Sequence, residues 1–278
     1  MKAYLKQEGC SFMSNNSTFE NLNQLLGIME KLRDPDRGCP WDQKQSFTSI
    51  VPFTLEEAYE VADTIERMDM DELPDELGDL LFQVVFYCQL GKEQGLFDFE
   101  NVAGRISQKL IHRHPHVFGD LNNLSTDEVK ANWEKLKAKE RAQKAQFSLL
   151  DNIPLSLPSL SRAVKIQKRV AQVGFDWTET FQVTDKIQEE LQEVMDEVNA
   201  KQVDQARVLD EVGDLLFAVV NLARHLKVDP EQALRHGNRK FEHRFRKIEQ
   251  LVDASDKKIQ DHSLDELESY WIQVKKME

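Results

Sequence analysis

The feature that most constrains this chain is that it repeats itself. Glu56-Glu57-Ala58-Tyr59-Glu60-Val61 in the first half is answered by Glu189-Glu190-Leu191-Gln192-Glu193-Val194 in the second. Glu76-Leu77-Gly78-Asp79-Leu80-Leu81-Phe82 is answered by Glu211-Val212-Gly213-Asp214-Leu215-Leu216-Phe217. Lys109 and Arg113 correspond to Lys240 and Arg244, and Trp133 with Lys137 corresponds to Trp271 with Lys275. Matched blocks in one order imply one structural unit used twice. The chain has 278 residues, enough for two domains of ordinary size, each with its own core.

The repeated unit reads as helical throughout. Phe19, Leu22, Leu25, Leu26, Met29 and Leu32 recur at helical spacing and predict a helix over 19–33, ended by the turn residues Asp34 to Pro40. Further helices are predicted over 54–68, 73–93, 99–113, 126–146, 158–172, 183–200, 206–227, 230–253 and 263–276. Only 11 glycines and 8 prolines interrupt a chain that is 31% charged, which suits long amphipathic helices. The expected class is all-α, as two tandem helical bundles. The expected organisation is a flexible extension over 1–18, with Met13 an alternative start to Met1, a first domain over 19–146, a Ser/Pro/Asn-bearing linker over 147–160, and a second domain over 161–278.

Composition excludes several classes. A net charge of −13 argues against a polynucleotide partner, which would call for a basic surface. No apolar run is long enough to span a membrane. Cys10, Cys39 and Cys88 are odd in number and widely spaced, so a reducing, cytoplasmic setting is expected rather than a disulfide framework. The phosphate-loop signature G-x-x-x-x-G-K-[ST] is absent. His112, His114 and His116 are interrupted by Pro115 and cannot share one helix face, which disfavours zinc. Lys130–Lys144 mixes both signs and reads as a solvated face.

The carboxylates carry the chemistry. Glu190 and Glu193 share one helix face, as do Glu211 and Asp214 on the next helix. On that second helix Leu209, Val212, Leu216 and Val219 form an apolar stripe, with Glu211, Asp214 and Asn221 along its edge. Two helices packed through such stripes would gather the acids beside the core. Gathered carboxylates repel, and a divalent cation neutralises them. An all-oxygen set favours a hard ion, Mg²⁺ with Mn²⁺ as substitute. An E-x-x-E pair alone is more often a solvated face. Gly78 and Gly213, however, stand inside helical patterns at a cost of about 1 kcal/mol relative to alanine, and suggest close approach by another backbone or a ligand.

With the Gly38-Cys39-Pro40-Trp41-Asp42 and Arg113-His114-Pro115-His116-Val117-Phe118 blocks, the E-E-x-x-E…E-x-G-D arrangement resembles the MazG family of nucleoside triphosphate pyrophosphohydrolases. The resemblance covers the chain from about residue 19 to its end. It implies an all-α pyrophosphohydrolase fold, Mg²⁺ dependence, cleavage of NTPs or dNTPs to monophosphate and pyrophosphate, and a homodimer. It implies metal ligation by Glu190, Glu193, Glu211 and Asp214, with Glu189 a candidate water-activating base. The expected nucleotide site is Lys186, Glu189, Glu190, Arg207, Lys240, Arg244 and Trp271, joined by Asn221 on the acidic edge. Trp271 reads equally as a base-stacking or a core residue. Glu57, Glu60, Glu76 and Asp79 form a second candidate metal set. There the positions of Lys186, Arg207 and Asn221 hold Phe53, Glu72 and Phe86, so the second half is expected to be the main catalytic domain. The competing reading is a regulatory protein that binds nucleotides or alarmones without turnover.

Overall fold

A computed structural model describes residues 19–119, 125, 126, 128, 129, 132, 133, 136, 148–254 and 257–278. The extension over 1–18, Cys10, Lys137 and most of the helix expected over 126–146 lie outside the described residues. Those described form helices joined by turns, and none is in a strand. The chain divides into two compact units, at residues 1–137 and 138–278.

The first unit contains α1 (Glu20–Leu32), α2 (Pro40–Gln43), α3 (Phe47–Arg67), α4 (Leu73–Glu93), α5 (Phe99–Arg113) and α6 (Pro115–Phe118). α3 starts earlier than predicted. A reciprocal cap between Ser46 and Ser49 starts it, and Pro52, a residue that ordinarily marks a boundary, lies inside it. Asp98 and Asn101 cap α5 in the same way. Gly38 is required by the turn after α1: a Cβ there would lie 2.4 Å from the Leu32 carbonyl oxygen.

α3 and α4 pair, with α1 packed on α4. Met29, Ile50, Val85, Phe86 and Leu90 form the buried core, flanked by Phe47, Phe53 and Tyr87. Arg33 closes it: its guanidinium lies 5.4 Å over the Phe86 ring and meets Glu93 through two hydrogen bonds of 2.8 and 2.6 Å. His114 separates α5 from α6, so the three histidines do not share a helix face.

The second unit repeats the plan with α7 (Ser159–Ala171), α8 (Thr180–Val198), α9 (Gln205–His225), α10 (Pro230–Asp253) and α11 (Leu264–Lys276). α8 and α9 form the central pair, and α7 packs on both α9 and α10. α10 and α11 close on Ile248, Val252 and Val274. Residues before α7 lie against it: Arg169 donates to the Leu149 carbonyl at 2.7 Å.

The apolar stripe expected on α9 is not what α9 buries. Leu209, Leu216 and Val219 are 71%, 54% and 45% exposed, while Ala218, Val220 and Asn221 are the buried residues. Periodicity locates an apolar face, but among the described residues no element covers this one. Of the close approach expected at Gly78 and Gly213, the described residues of this chain supply none: nothing lies within 4 Å of a Cβ placed at either.

Candidate metal and nucleotide site

α8 and α9 bring the acids together because each places its carboxylates at i and i+3, and the two helices pair along those edges. Glu190, Glu211 and Asp214 offer carboxylate oxygens that all lie within 4.8 Å of one another. Glu190 is buried at 5% exposure, Glu211 is half-buried and Asp214 faces solvent.

Lys186, one turn before Glu190, supplies the counter-charge. Its Nζ donates to Glu189 Oε1 at 2.8 Å and lies 2.7 Å from Glu190 Oε1. These two carboxylates hold the Lys186 ammonium above the usual lysine range. Glu190 Oε2 is buried and has no hydrogen-bond partner. Leaving an ionised oxygen bare costs several kcal/mol unless a cation reaches it. Glu193 is exposed beside the triad. Close approach to the Glu190 carboxylate, then lost hydration and the negative charges of Glu190 and Glu211, raise its carboxyl above the ordinary range.

A cavity of about 380 Å³ opens next to the triad. Lys186, Glu190, Asp214, Asn221 and Arg224 line it. Phe175, Trp177 and Phe217 supply aromatic surface, and Gln167 reaches in from α7. Burial opposes the charge on Asp176, but hydrogen bonds from Arg224 (2.5 Å) and His225 (3.1 Å) outweigh it and hold the carboxyl below its ordinary range. Sequence reasoning missed Gln167, Phe175, Asp176, Trp177 and Arg224. The Gly174-Phe175-Asp176-Trp177 stretch could have been found by its likeness to Gly38-Cys39-Pro40-Trp41.

Other expected nucleotide residues lie elsewhere. Arg207 pairs with Glu197 of α8. Arg244 binds Glu278 Oε2 through Nε at 3.0 Å and Nη2 at 2.7 Å, and its guanidinium lies 5.4 Å over the Trp271 ring. Trp271 lies 5.2 Å from Phe241, ring to ring. Neither these residues nor Lys240 lines the cavity.

In the first unit Glu57, Glu76 and Asp79 also converge within 4.8 Å. Burial, then the charges of Asp79 and Glu60, raise Glu57. Gln83 Nε2 donates to Glu57 Oε1 at 3.4 Å. Glu72 at the position of Arg207 pairs with Arg67 at 2.7 Å, and Phe86 at the position of Asn221 is in the core. Trp133 Nε1 donates to the Arg113 carbonyl at 2.8 Å.

The family model described as the MazG nucleotide pyrophosphohydrolase domain matches residues 45–118 and 179–248. Over 257 residues the chain is 55% identical to the nucleoside triphosphate pyrophosphohydrolase of Escherichia coli (strain K12), covering 92% of this chain and 98% of that protein. It is 42% identical over 252 residues to the nucleoside triphosphate pyrophosphohydrolase/pyrophosphatase MazG of Thermotoga maritima, covering 91% and 94%. Both matched segments contain one of the acidic triads, on paired helices of the same plan, and the chain belongs to the MazG nucleotide pyrophosphohydrolase family.

Proposed function

We propose that the second unit is an Mg²⁺-dependent nucleoside triphosphate pyrophosphohydrolase, converting an NTP or dNTP and water to the monophosphate and pyrophosphate. The observation that carries this reading is the bare, buried Oε2 of Glu190 beside Glu211 and Asp214. An all-oxygen donor set with one unmatched buried oxygen fits a hard divalent cation. Glu190, Glu211 and Asp214 would hold Mg²⁺, which supplies charge neutralisation and Lewis acidity at the phosphate oxygens.

The remaining groups bind and move protons. Lys186 is within reach of the triad and offers a cation to the phosphates. Glu189 is engaged in holding Lys186. That leaves Glu193 as the exposed carboxylate able to orient the attacking water and accept its proton. A new bond forms from the water oxygen to the α-phosphorus, and the bond from that phosphorus to the bridging oxygen of pyrophosphate breaks. The aromatic cavity takes the nucleoside.

Assembly as a homodimer is part of the same reading. Leu209, Leu216 and Val219 expose an apolar edge on α9, and covering such side chains is worth about 1.5–3 kcal/mol each. Gly213, open on its Cβ side, allows a second helix to approach. Lys240, outside the cavity of its own chain, is available to a site completed by a partner, whereas Arg244 and Trp271 would first have to exchange their contacts with Glu278 and Phe241.

The test is incubation with each NTP and dNTP plus Mg²⁺, with separate assays for pyrophosphate and orthophosphate. Stoichiometric monophosphate and pyrophosphate are expected. Orthophosphate as the first product, or nucleotide binding without turnover, would overturn the reading.

A further inference from the structure

Two buried amides line the cavity, and other residues fix the polarity of each. Gln167, 4% exposed, donates from Nε2 to the Phe217 carbonyl at 2.9 Å. A carbonyl only accepts, so the amide nitrogen is committed and Oε1 is the free end. That oxygen is buried without a hydrogen-bond partner. Asn221, 5% exposed, is fixed in the opposite sense. Arg224 donates to its Oδ1 from Nη2 at 2.6 Å and from Nε at 3.0 Å. A guanidinium cannot accept, so Nδ2 is the end left to a ligand. Asp176 anchors Arg224 from the other side.

An unsatisfied buried amide oxygen costs about 1–3 kcal/mol. In the first unit that cost falls on Gln83 Oε1, whose amide nitrogen meets Glu57, and not on the first helix or at the position of Asn221. Phe86 stands where Asn221 would be, and the residue its first helix buries is Met29; both are in one apolar core. The polar pair is present where aromatic side chains line a cavity beside the triad.

We propose that Gln167 and Asn221 read the pairing edge of the nucleobase, Gln167 Oε1 accepting from a base N–H and Asn221 Nδ2 donating to the neighbouring base acceptor. The proposal rests on the nucleotide reading above. Trp177 and Phe217 supply apolar surface for a planar ring, which favours the base over the sugar as occupant. Gln167 and Trp177 lie outside the segments matched by the family model, so the assignment comes from this chain's own packing.

Each common base carries a donor next to an acceptor, so the pair is probed with an analogue. Purine riboside triphosphate keeps the ring acceptor of ATP but lacks its amino donor. KM for both is measured with the wild type and with Gln167→Met, and Kd for their α,β-methylene forms by calorimetry. We expect the wild type to favour ATP about tenfold, the value of one net hydrogen bond. In Gln167→Met that preference should fall towards unity, chiefly through weaker ATP binding. Met29 shows that methionine can be buried on the first helix of a unit of this plan. Should the variant not fold, Arg224→Lys provides the second arm, because loosening Asn221 should also erode the preference. Equal wild-type affinity for the two nucleotides, or equal loss for both in the variants, would overturn the proposal. Absence of pyrophosphate release would overturn only the hydrolytic reading, because the calorimetric comparison still decides the role of the amides.

Discussion

Lys186 Nζ lies 2.7 Å from Glu190 Oε1, while the other oxygen of that carboxylate is buried with no donor. One side of Glu190 is thus neutralised by the chain and the other is left for a cation. Replacing Lys186 with methionine removes the built-in half. Because Lys186 is itself one-third exposed, the expected loss in the metal-free protein is about 1–2 kcal/mol, less than for a fully buried pair. Urea unfolding should show it, and Mg²⁺ should stabilise the variant more than the wild type. An equal Mg²⁺ effect on both would remove Lys186 from the charge balance of the site.

Glu193→Gln keeps size and polarity but cannot take a proton. Pyrophosphate release should fall at least a hundredfold, with the melting temperature and nucleotide affinity close to wild type. Single-turnover assays check this. Near-wild-type turnover would exclude Glu193 as the proton acceptor.

The two acidic sets can be separated. Disabling Glu57 and Glu60 should leave most turnover intact, whereas disabling Glu190 and Glu193 should abolish it. The reason is the surroundings: a cavity adjoins the second triad, whereas Phe86 fills a matching position in the core of the first unit. Steady-state pyrophosphate assays on both double variants decide the matter, and the opposite pattern would move the active site to the first unit.

Stability should depend on pH and Mg²⁺ together. Burial and then Asp79 raise the Glu57 carboxyl, and close approach to the Glu190 carboxylate chiefly raises Glu193. A carboxyl raised in the folded chain holds its proton more tightly there than when unfolded. Its stabilising contribution is therefore full below the ordinary value of 4.5 and is lost as pH rises through the folded value. Metal-free protein carries this repulsion at neutral pH, and Mg²⁺ relieves it. The rise in melting temperature on adding Mg²⁺ should be largest near pH 7–8 and shrink towards pH 5. A rise that grows on acidification would contradict it.

Leu216→Glu places a charge on the exposed edge of α9. Sedimentation should show dimer for the wild type and monomer for the variant, with the helical content of the monomer retained. A wild type that sediments as monomer would dispose of the dimer.

Much of this was legible before the structure. The bounds of α4, α5 and α10 match those read from the sequence, because apolar periodicity and flanking turn residues act locally. Pro52 shows the limit: the Ser46 cap and the packing of α3 carry a proline that a local rule treats as a boundary. The acidic residues were found because i, i+3 spacing fixes which side chains share a face. The same reasoning placed Leu209, Leu216 and Val219 in the interior, and they are exposed. Periodicity identifies a face without saying what covers it.

The sequence by itself determined the duplication, the helices and the acidic set, all of which follow from order and spacing along one strand of chain. Only the tertiary structure decided that Gln167, Trp177, Asn221 and Arg224 share a cavity with Lys186 and Glu190. They come from three helices and a loop, and nothing in linear spacing relates them. Their hydrogen-bonding polarity is likewise set by partners distant in sequence, as Gln167 is by the Phe217 carbonyl and Arg224 by Asp176.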